Sequence, residues 1–169
     1  MKRSILALLV AVAMCGVVSA QKLCVIDSEK VFKSIAAYNE AMTSLDKLSK
    51  EYQQTIEAKY KQVEALYNQY QAQKASLTEA ARQSAEQQIL ALEQEAQQLQ
   101  QSLFGTEGQL MKRRVELIEP VQKRVFAAIE KYAEQNGYDL VLDKASNASI
   151  LYYGEAIDHT AQIIEELTK

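Results

Sequence analysis

Residues 63–92 read VEALYNQYQAQKASLTEAARQSAEQQILAL, and the fold turns on Leu77-Thr78-Glu79 near their centre. Before that tripeptide the apolar positions Leu45, Leu48, Tyr52, Ile56, Val63, Leu66 and Tyr70 recur mostly every three or four residues. This is the a/d seam of a coiled coil rather than the broader stripe of a globular helix. After it a fresh seam runs through Ala85, Ile89, Leu92, Ala96, Leu99, Leu103 and Leu110. Between the two stands Thr78, a residue type that caps helices. An uninterrupted helix from Ser28 to Asn136 would be roughly 160 Å long, its seam bare unless a partner chain covered it. Folding back near residues 76–80 lets the two seams cover each other, so the sequence predicts a helical hairpin over 41–114 with arms of roughly 55 to 60 Å.

Toward the N-terminus the apolar spacing continues through Ile35 and Phe32 to a β-branched and apolar run, Lys22-Leu-Cys-Val-Ile-Asp27, which reads as a strand feeding a helix capped by Asp27-Ser28. Toward the C-terminus the helical pattern contains Gly105 and Gly108, which should bend the descending arm, since a glycine costs a helix interior up to about 1 kcal/mol. Pro120 removes a helical hydrogen bond and is expected to kink the chain, dividing the arm from a body. Gly105, Gly108 and Pro120 are thus the candidate hinges. Beyond them Val121, Val125, Ala128, Ile129 and Tyr132 form a denser apolar face that Asn136-Gly137 closes. Asp139-Leu-Val-Leu-Asp143 and Ile150-Leu-Tyr-Tyr153 flank the turn-like Lys144–Ser149 and read as a β-hairpin, and Asp158 caps a last amphipathic helix.

The expected fold is therefore α+β: a long coiled-coil hairpin on a small β-containing body made of residues 21–40 and 115–169. About 75 residues of body make a marginal core, for which oligomerisation is a usual remedy. Val25, Phe32, Val125, Ile129, Leu140, Leu142, Ile150 and Tyr152 are the residues expected to build that oligomeric body.

The first 20 residues carry Lys2 and Arg3, then the apolar run Ile5 to Met14, then Val18-Ser19-Ala20. That is the pattern of a secretory signal peptide, with cleavage leaving Gln21 first. The run is too short to span a bilayer, which takes about 20 residues, so no stable membrane insertion is expected. A retained anchor, or lipid on Cys15, are the alternatives. Removing Lys2 and Arg3 from 19 basic residues leaves 17 against 22 acidic, a net charge of −5. With no basic block, nucleic acid and anionic lipid are disfavoured as primary partners. Cys24 is then the sole cysteine, either a buried core residue or a thiol for an intermolecular bond.

Enzymatic readings find little support. The single histidine, His159, reads as a solvated residue of the last helix, and no metal-ligand spacing or glycine-rich phosphate loop accompanies it. No cofactor is expected. The remaining signals are polar and aromatic. Glutamines crowd residues 69–101, either as a solvated coiled-coil face or as a surface that hydrogen-bonds polypeptide without choosing a sequence. Tyr52, Tyr60, Tyr67 and Tyr70 lie on the ascending arm. They either fill the hairpin or, at Tyr60, Tyr67 and Tyr70, face a bound chain with large amphipathic rings.

Lys22-Leu-Cys-Val-Ile-Asp-Ser-Glu-Lys-Val-Phe32 and Gly137-Tyr-Asp-Leu-Val-Leu-Asp143, with the hairpin between them, resemble the Skp/OmpH family of periplasmic chaperones. The resemblance spans essentially residues 22–169. It implies a homotrimer in the periplasm whose strands form a central body, with helical tentacles enclosing unfolded outer-membrane β-barrel proteins without ATP. Family tentacles are strongly basic, whereas residues 40–110 hold six basic and ten acidic side chains, a net of −4. A structural coiled-coil envelope spacer or adaptor is the rival class, and it requires a continuous rod through Thr78.

Overall fold

The structure, a computed structural model, describes residues 21–146 and 149–168. The expected signal peptide, Cys15 and residues 147 and 148 of the predicted turn lie outside the described residues. The chain divides into two compact units. One holds the described residues up to Glu29 together with Ala128 onward, and the other is Lys30–Ala127.

In the first unit, β1 (Leu23–Ile26) pairs in parallel with β2 (Leu140–Asp143), in the register Leu23 with Leu140 through Ile26 with Asp143. A parallel pair needs a long crossover, and the helical middle of the chain supplies it. Cys24, Val25 and Ile26 are buried, as a short β-branched strand in a small core should be. The predicted β-hairpin is therefore corrected. Residues 150–153 are in no strand, and the place beside β1 opposite β2 is taken by Asp158, which bridges Val25. The physical reason is a set of side-chain anchors on the connection. Lys144 Nζ donates to Tyr153 Oη at 2.6 Å and to Asp158 Oδ2 at 2.7 Å. Asp143 accepts from Ser28 N–H and Oγ–H and from Ala145 N–H. These bonds route Ile150–Tyr153 past β2 rather than back along it.

Helix α1 (Ser28–Lys33) begins at the serine expected to cap it and stops short of α2 (Ala36–Gln73). In the second unit α2 carries 38 residues, about 57 Å of helix. It turns at residues 74–78 and returns as α3 (Glu79–Phe104), with the Thr78 hydroxyl accepting from Ala81 N–H at 3.3 Å. The two seams meet as expected: Val63, Tyr70 and Ile89 form a buried cluster backed by Leu66, Leu77, Ala85 and Leu92. The descending side does not merely bend at its glycines. It breaks at residues 105–108 and resumes as α4 (Gln109–Asn136), whose first turns put Leu110, Leu117 and Ile118 against Tyr38, Ala41 and Leu45 of α2. Helix α4 runs through Pro120 without interruption, so the proline ends no helix. Its last turns belong to the first unit, as does α5 (Thr160–Thr168), which follows a 3-10 turn at Glu155–Ile157.

Candidate functional site

Cross-hairpin hydrogen bonds are made by long side chains of α2 reaching glutamates and glutamines opposite. From the tip downward, Tyr70 donates to Glu86, Lys59 pairs with Glu95 at 2.7 Å, and Tyr60 donates to Gln100 at 3.4 Å. Lowest of these, Tyr52 donates to Gln109 at 3.1 Å. One glutamine of the glutamine-rich surface, Gln100, thus has a structural part, its amide oxygen accepting a tyrosine hydroxyl. The hydrogen bond to Glu86, with burial, pushes the Tyr70 hydroxyl above its ordinary value.

The three tyrosines proposed from sequence to face a bound chain separate here. Tyr70 is buried in the hairpin and is corrected to a core residue, because its position continues the Val63–Leu66 seam. Tyr60 leans on Gln100 with its ring partly in solvent, and Tyr67 is 48% exposed. Beside Tyr67 lies a residue the sequence reading missed, Leu90, 55% exposed, and the two line an open groove of about 280 Å³ flanked by Lys74 and Glu93. Leu90 follows seam residue Ile89, so an apolar neighbour off the seam was the available signal.

Further exposed apolar residues stand on α4: Met111, Val115 and Phe126. They lie outside the Leu110–Leu117–Ile118 face that packs on α2. Their spacing of four and eleven residues places them within about 60° of one another around the helix, as an exposed stripe beside the packed one.

In the strand-bearing unit, Val25 is buried, Leu142, Ile129 and Ile150 are half-buried, and Leu140 is exposed. Tyr152 and its neighbour Leu151 stand 88% and 94% exposed. Of the other two residues named for the body, Val125 is buried and Phe32 stacks at a tilt on Tyr38, 5.3 Å between ring centres. His159 is not the solvated residue expected: its Nδ1 meets Tyr132 Oη and its Nε2 meets Tyr138 Oη, each at 2.8 Å. Burial raises both tyrosine hydroxyls, and it raises the buried Cys24 thiol as well. Among the described residues no group of three or more His, Cys, Asp or Glu is placed to hold a metal. No described helix is long and apolar enough to cross a membrane.

Comparison with known proteins agrees with this architecture. An uncharacterised protein of Aquifex aeolicus (strain VF5) is 28% identical over 144 residues, which is 85% of this chain and 84% of that protein. A crystal structure from Caulobacter crescentus CB15, described as a candidate outer membrane chaperone (OmpH-like), superposes with a TM-score of 0.65 at 12% identity. The match covers 88% of this chain and 85% of that one, a likeness of fold. The family described as outer membrane protein (OmpH-like) matches residues 22–167, and by that match over nearly the whole described length the chain belongs to the OmpH-like family.

Proposed function

We propose that the protein is an ATP-independent holdase of the periplasm that binds unfolded outer-membrane β-barrel proteins and keeps them from aggregating. The carrying observation is a helical hairpin that displays large apolar and aromatic side chains, Tyr67 and Leu90 above all, on an otherwise polar surface. Amphipathic rings and aliphatic groups among neutral glutamines suit many weak contacts with a chain of no fixed sequence. The description of the Caulobacter relative as a candidate chaperone points the same way. The antiparallel return of α3 along α2 weighs against the envelope spacer, which needs a rod.

In this reading the strand-bearing part of the chain assembles a homotrimer, and Leu151 and Tyr152, nearly bare in the isolated chain, lie in its interface. Removal of residues 1–20 on export completes the picture. The test is light scattering from an unfolded outer-membrane β-barrel protein diluted into buffer without nucleotide. A near-stoichiometric amount of the trimer should hold it soluble. An intact trimer that leaves aggregation unchanged would overturn the reading.

A further inference from the structure

The break at residues 105–108 has two glycines that its geometry requires. Gly105 N–H closes the end of α3 on Gln101 O at 2.8 Å, Gly108 N–H turns back to Gly105 O at 2.8 Å, and Lys112 N–H reaches Gly108 O at 3.1 Å. A Cβ on Gly105 would stand 2.4 Å from Gln101 O, and one on Gly108 would stand 2.8 Å from Gly105 N. Neither position carries a positive φ. The demand for glycine is steric and belongs to the broken conformation alone.

The sequence also fits an unbroken helix. Leu103, Leu110 and Leu117 follow one another at intervals of seven, which in a continuous helix drifts only about 20° per step. The apolar seam would therefore survive if α3 and α4 were joined. Joining them would supply helical acceptors for Thr106 and Glu107 N–H and for the first-turn amides of Gln109, Leu110 and Met111, which a helix start leaves without intrahelical partners.

One side chain distinguishes the two states. The Tyr52 ring meets Phe104, on the α3 flank of the break, edge-on at 6.2 Å and 84°. Its hydroxyl donates to Gln109, on the α4 flank, at 3.1 Å. In a continuous helix, residues 104 and 109 would lie about 140° apart around the axis, and one tyrosine of α2 could not touch both. We infer that Tyr52 is the latch of a two-state joint, holding the descending helix broken at Gly105–Gly108 against a continuous alternative. Release of the latch turns the exposed Met111 and Val115 relative to the exposed Phe104, re-aiming an apolar surface without disturbing the seam. The joint is independent of what the hairpin binds.

Native-state hydrogen exchange on the intact protein, without client, tests this. Loss of an ordinary packing side chain speeds exchange around it. Loss of a latch does the opposite here. Tyr52→Ala should slow exchange at Thr106, Glu107, Gln109, Leu110 and Met111 by about tenfold or more, as these amides gain helical partners. Gly105→Ala, which leaves Tyr52 in place and excludes the broken turn sterically, should slow the same amides, and it decides the matter if Tyr52→Ala does not fold. Unchanged or faster exchange at these five amides in the folded variant would overturn the joint.

Discussion

Tyr70 donates its hydroxyl to Glu86 from inside the hairpin, while Tyr67, on the next turn, stands half in solvent beside Leu90. Truncation should separate the two cleanly. Tyr70→Ala is expected to cost about 3 kcal/mol in urea denaturation, as a large buried ring with an orphaned partner does, and Tyr67→Ala less than about 0.5 kcal/mol. Tyr67→Ala should instead weaken client binding. The residue scale also sets a pH dependence. Burial works to raise the Asp158 carboxyl, but hydrogen bonds from Lys144 and Thr160 outweigh it and leave it at about 2, while the same bond raises Lys144. A carboxylate depressed on folding contributes its stability above its unfolded value, near about 3.9, and loses it as pH falls toward the folded one. Lys144→Met should therefore cost about 2 kcal/mol at neutral pH, and the gap to the parent protein should close between about pH 4 and about pH 2. An undiminished gap at acid pH would show that Lys144 acts by packing alone. None of these partners was legible in the sequence, because Lys144, Tyr153 and Asp158 meet through a loop with no periodic pattern. The partners of His159 leave no sequence signal either, because Tyr132 comes from the last turns of α4 and Tyr138 from just beyond that helix, both more than twenty positions away.

Helices were the most legible elements, because a seam of period three to four records its own partner. The Thr78 cap followed from a single polar residue at the gap between two seams, and the turn expected near residues 76–80 falls at 74–78. Thr78→Ala should lower stability by about 1 kcal/mol without shifting the position of the turn, since the seams and not the cap select it; chemical denaturation measures the first and hydrogen exchange of residues 79–82 the second. The strands were less legible. A short run such as Leu140–Asp143 announces a strand but not its partner, and nearness in sequence favoured Ile150–Tyr153. What decided for β1 was the long crossover, which brings residues more than a hundred positions apart into register and leaves no local signature. Gly105 and Gly108 show the same limit. Two glycines in a helical pattern predict a weak point, but whether it bends or breaks depends on Tyr52 from the facing helix.

At the scale of the whole molecule, assembly and binding should be separable. If, as proposed, the chain assembles as a trimer with the exposed Leu151 and Tyr152 between copies, changing both to serine should give a monomer in multi-angle light scattering while far-UV circular dichroism stays helical. Replacing residues 45–110 with a short turn should leave it trimeric. A monomeric product of that deletion would move assembly to the hairpin. Client binding has its own signature, set by charge. Residues 40–110 carry six basic against ten acidic side chains, a net of −4, and the groove beside Tyr67 is lined by Leu90 with one lysine, Lys74, the neutral Gln71 and two glutamates of α3, Glu86 and Glu93. Steering by a single-sign field would make affinity fall steeply with ionic strength, since charges farther apart than about 8 Å are screened at physiological salt. Apolar and amide contacts carry no such dependence. Affinity for an unfolded β-barrel client should thus change by less than about threefold between about 0.02 and about 0.3 M salt. Tyr67→Ala combined with Leu90→Ala should weaken it about tenfold or more at every salt concentration, the two truncations together removing well over 1.4 kcal/mol of apolar contact. A steep salt dependence that survives the double substitution would place recognition on charged groups elsewhere, with the basic run Lys112-Arg113-Arg114 of α4 the first to examine.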